Sequence, residues 1–89
     1  MRRVVLDGRL MQSRKALHDY LARTLELPSY YGANLDALHD VLTELSEATE
    51  LVVTDSRKMQ EALGTYGDTL IRVLQDSAEE NPFLQVILI

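Results

Sequence analysis

Two stretches of this chain, Leu51-Val52-Val53 and Val86-Ile87-Leu88-Ile89, are apolar at every position rather than at every second one. A strand with one wet face alternates, because successive side chains point to opposite sides. Unbroken apolar runs suit strands buried on both faces, as in a parallel sheet covered by helices. A third β-branched run, Arg3 to Asp7, is closed by the turn dipeptide Asp7-Gly8 and reads as the first strand. The segments between the runs have helical periodicity and are long enough for parallel crossovers. The expected architecture is a small α/β layer fold: a three-stranded parallel sheet packed with about four helices, in the order β-αα-β-αα-β.

The helices have readable limits. Ser13 starts a pattern in which Leu17, Tyr20, Leu21 and Leu25 recur at spacings of three and four, and Leu27-Pro28 ends it. An aromatic loop with Gly32 follows. Asn34 suits the N-cap of a second helix over 35–47, and Asp36 in its first turn is favoured by the helix dipole. Ser56 would cap a third helix over about 57–63 with Met59 and Leu63 inward. Gly64-Thr65-Tyr66-Gly67 reads as a break, and Asp68 or Thr69 as the start of a fourth helix burying Leu70, Ile71, Leu74 and Ala78. Asn81-Pro82 stops that helix before the strand Phe83 to Ile89.

Eighty-nine residues, 46% hydrophobic and 26% charged, fit one globular domain over 1–89. No apolar run approaches the roughly 20 residues that span a bilayer, so no membrane association is expected. The apolar run behind Arg2-Arg3 is only three residues long, too short for a signal-peptide core. The absence of cysteine fits a reducing compartment. These features lead to a cytoplasmic expectation. A net charge of −5 argues against direct binding of nucleic acid, which needs cations to meet phosphates.

The acidic residues are unevenly placed. Between Arg23 and Arg57 lie Glu26, Asp36, Asp40, Glu44, Glu47, Glu50 and Asp55, with no Lys or Arg among them. On a helix over 35–47, Asp36, Asp40, Glu44 and Glu47 share one stripe, and Leu35, Leu38, Leu42 and Leu45 lie opposite. The leucines must face the core, which leaves the carboxylates to water or to a partner. His39 and Thr43 flank the acidic stripe, and Tyr30 and Tyr31 stand just ahead of the helix. An ordinary solvated face mixes signs to gain i,i+4 pairs; this one does not. Composition alone leaves both a solvated face and a face for a basic partner open.

The stretch Leu27-Pro28-Ser29-Tyr30-Tyr31-Gly32-Ala33-Asn34-Leu35-Asp36-Ala37-Leu38-His39-Asp40 resembles the signature of the barstar family, Leu-Pro-x-Tyr-Tyr-Gly-x-Asn-Leu-Asp-Ala-Leu-x-Asp, at all its fixed positions. Barstars are intracellular inhibitors of small guanyl-specific bacterial ribonucleases of the barnase type. The resemblance implies a sheet packed with helices, and a one-to-one complex in which the second helix and its preceding loop plug the nuclease active site. By motif position it makes Asp40 the main anchor among the nuclease's Arg and His side chains, with Asp36 in support. Tyr30 would pack on the catalytic histidine, and Thr43 would add polar contacts. Tyr31, Gly32, Asn34, Leu35, His39 and Glu44 complete the expected contact region, and Asp76 and Glu80 on the fourth helix would add further acidic contacts. The chain departs from the best-known pattern at His39 and Leu45, which replace tryptophans, at Glu44, which replaces a glycine, and at Ala33, which replaces an acidic residue.

Other functions fit less well. The doublets His18-Asp19 and His39-Asp40 lack the third histidine and further ligands of a metal phosphohydrolase, and His18 reads as a solvated helix position. No serine stands at a motif spacing from a histidine, and cysteine is absent, so nucleophilic catalysis is not expected. An acidic carrier or adaptor of the acyl-carrier type would dock on basic enzymes with a similar helix. It would need a modifiable serine where this chain has Asn34-Leu35-Asp36, and it would be all helical. No catalytic residue, metal or cofactor is expected.

Overall fold

A computed structural model describes Met1–Ile89. Its three strands, β1 (Arg2–Asp7), β2 (Thr49–Thr54) and β3 (Leu84–Leu88), form one parallel sheet in the spatial order β1-β2-β3. The register aligns Val4 with Leu51 and Val86, and Leu6 with Val53 and Leu88. Two helices, α1 (Arg14–Thr24) and α2 (Leu35–Thr43), connect β1 to β2; α3 (Ser56–Leu63) and α4 (Thr65–Glu80) connect β2 to β3. The expected parallel α/β layer fold is the one observed. Its three strands exclude an all-helical carrier.

The central strand meets the expectation for an unbroken apolar run: Leu51, Val52 and Val53 are all buried. The sheet as a whole does not, because helices cover only one of its faces. Parallel crossovers are right-handed by rule, and two that step the same way across a sheet deliver their helices to the same side. Val4, Leu6, Leu51, Val53 and Leu84 therefore join the core with Leu17, Leu21, Leu38, Leu42, Met59, Leu70 and Leu74. On the other side Val5 remains 54% and Ile87 38% exposed, so β3 is a half-wet edge strand despite its composition.

Several helix limits differ from those expected. Ser13 does cap α1, its hydroxyl accepting from the Ala16 amide at 3.1 Å. Ser56 is no cap: it is already helical, and Asp55 precedes it in the left-handed region at φ 50°. Only Gly64 separates α3 from α4, so Tyr66 and Gly67 are helical and α4 begins earlier than Asp68. Gly67 belongs there for packing, since a Cβ would lie 3.1 Å from the Gln60 Cα and 3.2 Å from the Met59 sulfur. The second helix ends at Thr43 rather than at Glu47, so Glu47 leaves the helical carboxylate stripe.

Candidate partner-binding face

The loop before α2 is built by Asn34. Its side-chain oxygen accepts from the Ala37 amide at 2.7 Å, and its amide donates to the Gly32 carbonyl at 3.2 Å. One side chain thus satisfies an otherwise orphaned helix donor and closes the turn ahead of it. Leu38 and Leu42 are buried in the core, and Leu35, Val41 and Leu45 pack against it part-buried. This anchorage points Asp36, Asp40 and Glu44 to solvent, and the Asp40 side chain is 78% exposed.

The adjacent tyrosines have opposite fates. Tyr30 is 85% exposed, while Tyr31 turns inward. The Tyr31 hydroxyl lies 2.7 Å from Nδ1 of His18, and the Tyr66 hydroxyl lies 2.7 Å from Nε2 of the same ring. His18 is only 3% exposed, which corrects its reading as a solvated surface residue. A neutral imidazole has one donor and one acceptor nitrogen, so one tyrosine hydroxyl donates to the ring and the other accepts from it. The bridge joins α1, the loop and α4. Burial disfavours charge here: it pushes the His18 pKa down, against a small opposing pull from Asp19, and lifts the Tyr31 pKa to about 12. The Arg14 guanidinium stacks 4.3 Å above the Tyr66 ring and closes the outside of the bridge.

Three depressions border the row, and the one at its head, of about 520 Å³, sets Asp36 in a cleft with Arg14, Lys15 and Asp19 of α1. On one side a groove of about 480 Å³ runs between the tyrosine loop and α2, floored by Pro28, Val41 and Leu45 and edged by Glu26, Asp40 and Glu44. On the other, a polar cleft of about 490 Å³ separates α2 from α4 and is lined by His39, Asp76, Glu79 and Glu80. The His39 ring is hydrogen-bonded through Nε2 to a Glu80 carboxylate oxygen, and its Nδ1 lies 3.9 Å from Asp40. The Glu80 hydrogen bond raises the His39 pKa; desolvation opposes it, and the negative charges of Glu80, Asp40 and Asp76 add to the rise.

Elsewhere on the surface four carboxylates are paired with Arg or Lys, although Glu61 and Asp68 are not. Glu50 meets Arg3, Asp7 and Asp55 meet Arg9, and Asp19 meets Lys15. Asp36, Asp40, Glu44, Asp76 and Glu80 have no Arg or Lys within pairing distance, and His39 alone touches two of them. Their unpaired charge adds up over one face, which is the condition for a directed field. Thr43 stands beside the row, but its hydroxyl donates inward to the carbonyls of His39 and Asp40, at 2.9 and 3.2 Å.

Of the residues singled out in the sequence, Tyr30, Asp36, Asp40 and Glu44 lie along one exposed ridge. Asp76 and Glu80 lie across the cleft from His39, while Tyr31 and Asn34 support the loop from within. His18, Tyr66 and Asn81 are supports that the sequence pattern did not single out. His18 carries a legible signal: it lies three residues before Leu21 and seven before Leu25, the spacing of the buried stripe.

Comparisons with known proteins identify relatives of the whole chain. The Bacillus subtilis (strain 168) protein named "Putative ribonuclease inhibitor YrdF" is 40% identical over 81 residues, spanning 90% of this chain and 89% of that protein. The sequence model of the family described as Barstar (barnase inhibitor) matches residues 1–87. With that match over nearly its whole length, the chain belongs to the barstar family.

Proposed function

We propose that this protein inhibits a small guanyl-specific ribonuclease of the barnase type. It forms a one-to-one complex and fills the nuclease active site with α2 and the tyrosine loop. The observation that carries this reading is the exposed ridge of Tyr30, Asp36, Asp40 and Glu44, unpaired by any Arg or Lys and fixed to the core by the leucines behind it. A ribonuclease cleft is built to hold phosphate, so rigid carboxylates at helical spacing can occupy its cationic groups in place of RNA. Asp40, the most central of the row, is the anchor; Asp36 and Glu44 flank it, and Tyr30 supplies aromatic contact area at the head. Asp76 and Glu80 extend the negative face onto α4. Complementary charge also accelerates encounter; the pairing of barnase with barstar is the worked example behind that general rule. In this reading the inhibitor acts in the cytoplasm and performs no catalysis.

Inhibition assays with a barnase-type ribonuclease test the reading. Asp40→Ala should weaken inhibition by at least a hundredfold, the size of a hot-spot loss of about 3 kcal/mol or more. Glu61→Ala, on the exposed side of α3, should leave it unchanged. Association should slow as salt rises, because screening shortens the reach of the acidic field. Equal inhibition by wild type and Asp40→Ala would remove Asp40 as the anchor.

A further inference from the structure

His39 occupies an unusual place on this face: it is the one cationisable side chain in contact with the carboxylates the partner is meant to meet. It sits on α2 beside Asp40, faces Glu80, Asp76 and Glu79 of α4 across the cleft, and joins the two helices through its hydrogen bond to Glu80. Asp36 on its own helix completes the surrounding charge. A protonated imidazole at this point neutralises part of the row and ties Glu80 to the α2 ridge.

We propose that His39 is a proton-linked positioning residue of the inhibitory face: it holds Glu80 beside Asp40 in the free protein and gives up a proton when a basic nuclease docks. The inference rests on the ribonuclease-inhibitor reading above. The chemistry is a simple competition. In the free protein Glu80 and Asp40 stabilise the imidazolium. In the complex the nuclease's Arg and Lys side chains take those carboxylates and place positive charge next to the ring, so the charged ring loses its support and meets repulsion.

The sign follows from linkage. His39 holds its proton more tightly in the free protein than in the complex, so the complex binds fewer protons and association strengthens as pH rises. The gain levels off above the free-state pKa, which lies above the ordinary histidine value. One linked proton limits the change to about tenfold in affinity per pH unit.

Two measurements test this. In the free protein, an NMR titration should place the His39 ring above about 6.5, and Glu80→Gln should bring it down. A ring that titrates at or below that value, or ignores Glu80→Gln, overturns the bridge without reference to any partner. Next, binding to a barnase-type ribonuclease is measured for wild type and His39→Gln between about pH 5.5 and 8, using buffers of different ionisation enthalpy. Comparing the two inhibitors against the same nuclease cancels the nuclease's own titrations. Wild type should release a fraction of a proton more than His39→Gln near about pH 6.5 and lose several-fold more affinity toward acid. If both bind with the same pH slope, the inference is wrong while the inhibitor reading stands. If neither binds although both fold, the inhibitor reading fails and takes the inference with it.

Discussion

The side-chain amide of Asn81 donates to the carbonyl oxygen of Leu42 across 2.9 Å, fastening the C-terminus of α2 to the point where α4 gives way to β3. The same amide donates to the Leu45 carbonyl at 3.0 Å, and the Asn81 oxygen accepts from the Phe83 amide at 2.9 Å. Helix ends leave carbonyls without internal partners, and here a buried asparagine from a distant element supplies the donors. The orientation of the carboxylate ridge relative to α4 depends on this clamp. Asn81→Ala should destabilise the fold by about 2–3 kcal/mol, since it strands buried polar groups. Asn81→Asp should be at least as damaging, because a carboxylate presents acceptors to acceptors. Urea unfolding checks both; a smaller loss for the aspartate would mean that bonding to Phe83, not to α2, is what matters.

Tyr30 and Tyr31 are neighbours in sequence with separable roles. Tyr30→Ala should change stability by less than about 0.5 kcal/mol, as expected for an exposed position, while the nuclease complex dissociates faster. Tyr31→Phe keeps the ring but removes the hydroxyl partner of His18, which should cost about 1 kcal/mol of stability. Thermal unfolding and surface-based dissociation kinetics separate the two effects. A large stability loss for Tyr30→Ala would place that ring in the core instead.

Element order, the parallel sheet, the cap at Asn34 and the opposition of leucines to carboxylates on α2 are all legible in the sequence, because each follows from local periodicity and local side-chain chemistry. Sequence and fold part company where the answer depends on contacts far apart along the chain. The burial of β3 turns on which sheet face the crossovers cover, so the composition of Val86-Ile87-Leu88 does not distinguish a central strand from an edge. Tyr66 and Gly67 resemble a break because the reason for them, the bridge to His18 and the close approach of α3, lies outside their own segment. Asn81 resembles a plain stop signal for the same reason. Family resemblance locates the ridge, but His39 departs from the family pattern, and only the fold shows that it reaches Glu80.

The two histidines should push stability in opposite directions with pH. His18 is held neutral by burial, so its folded-state pKa lies below the ordinary value and the unfolded chain binds the extra proton first. Its contribution is complete above about pH 6.5 and is lost as pH falls from there toward the folded-state value. His39 has the reverse sign: its raised folded-state pKa adds stability at low pH that disappears as pH climbs through that value. The two act in adjacent windows, His18 below about pH 6.5 and His39 above it, so their joint effect is greatest near that pH. His39→Gln should abolish the fall in stability above about pH 6.5 and leave the acid limb, which belongs to His18, in place. Adding His18→Gln should then flatten the window between about pH 5 and pH 7.5 at a lower overall stability. The flattening is the decisive readout: a general packing defect at His18 would lower the whole curve and leave its slope intact.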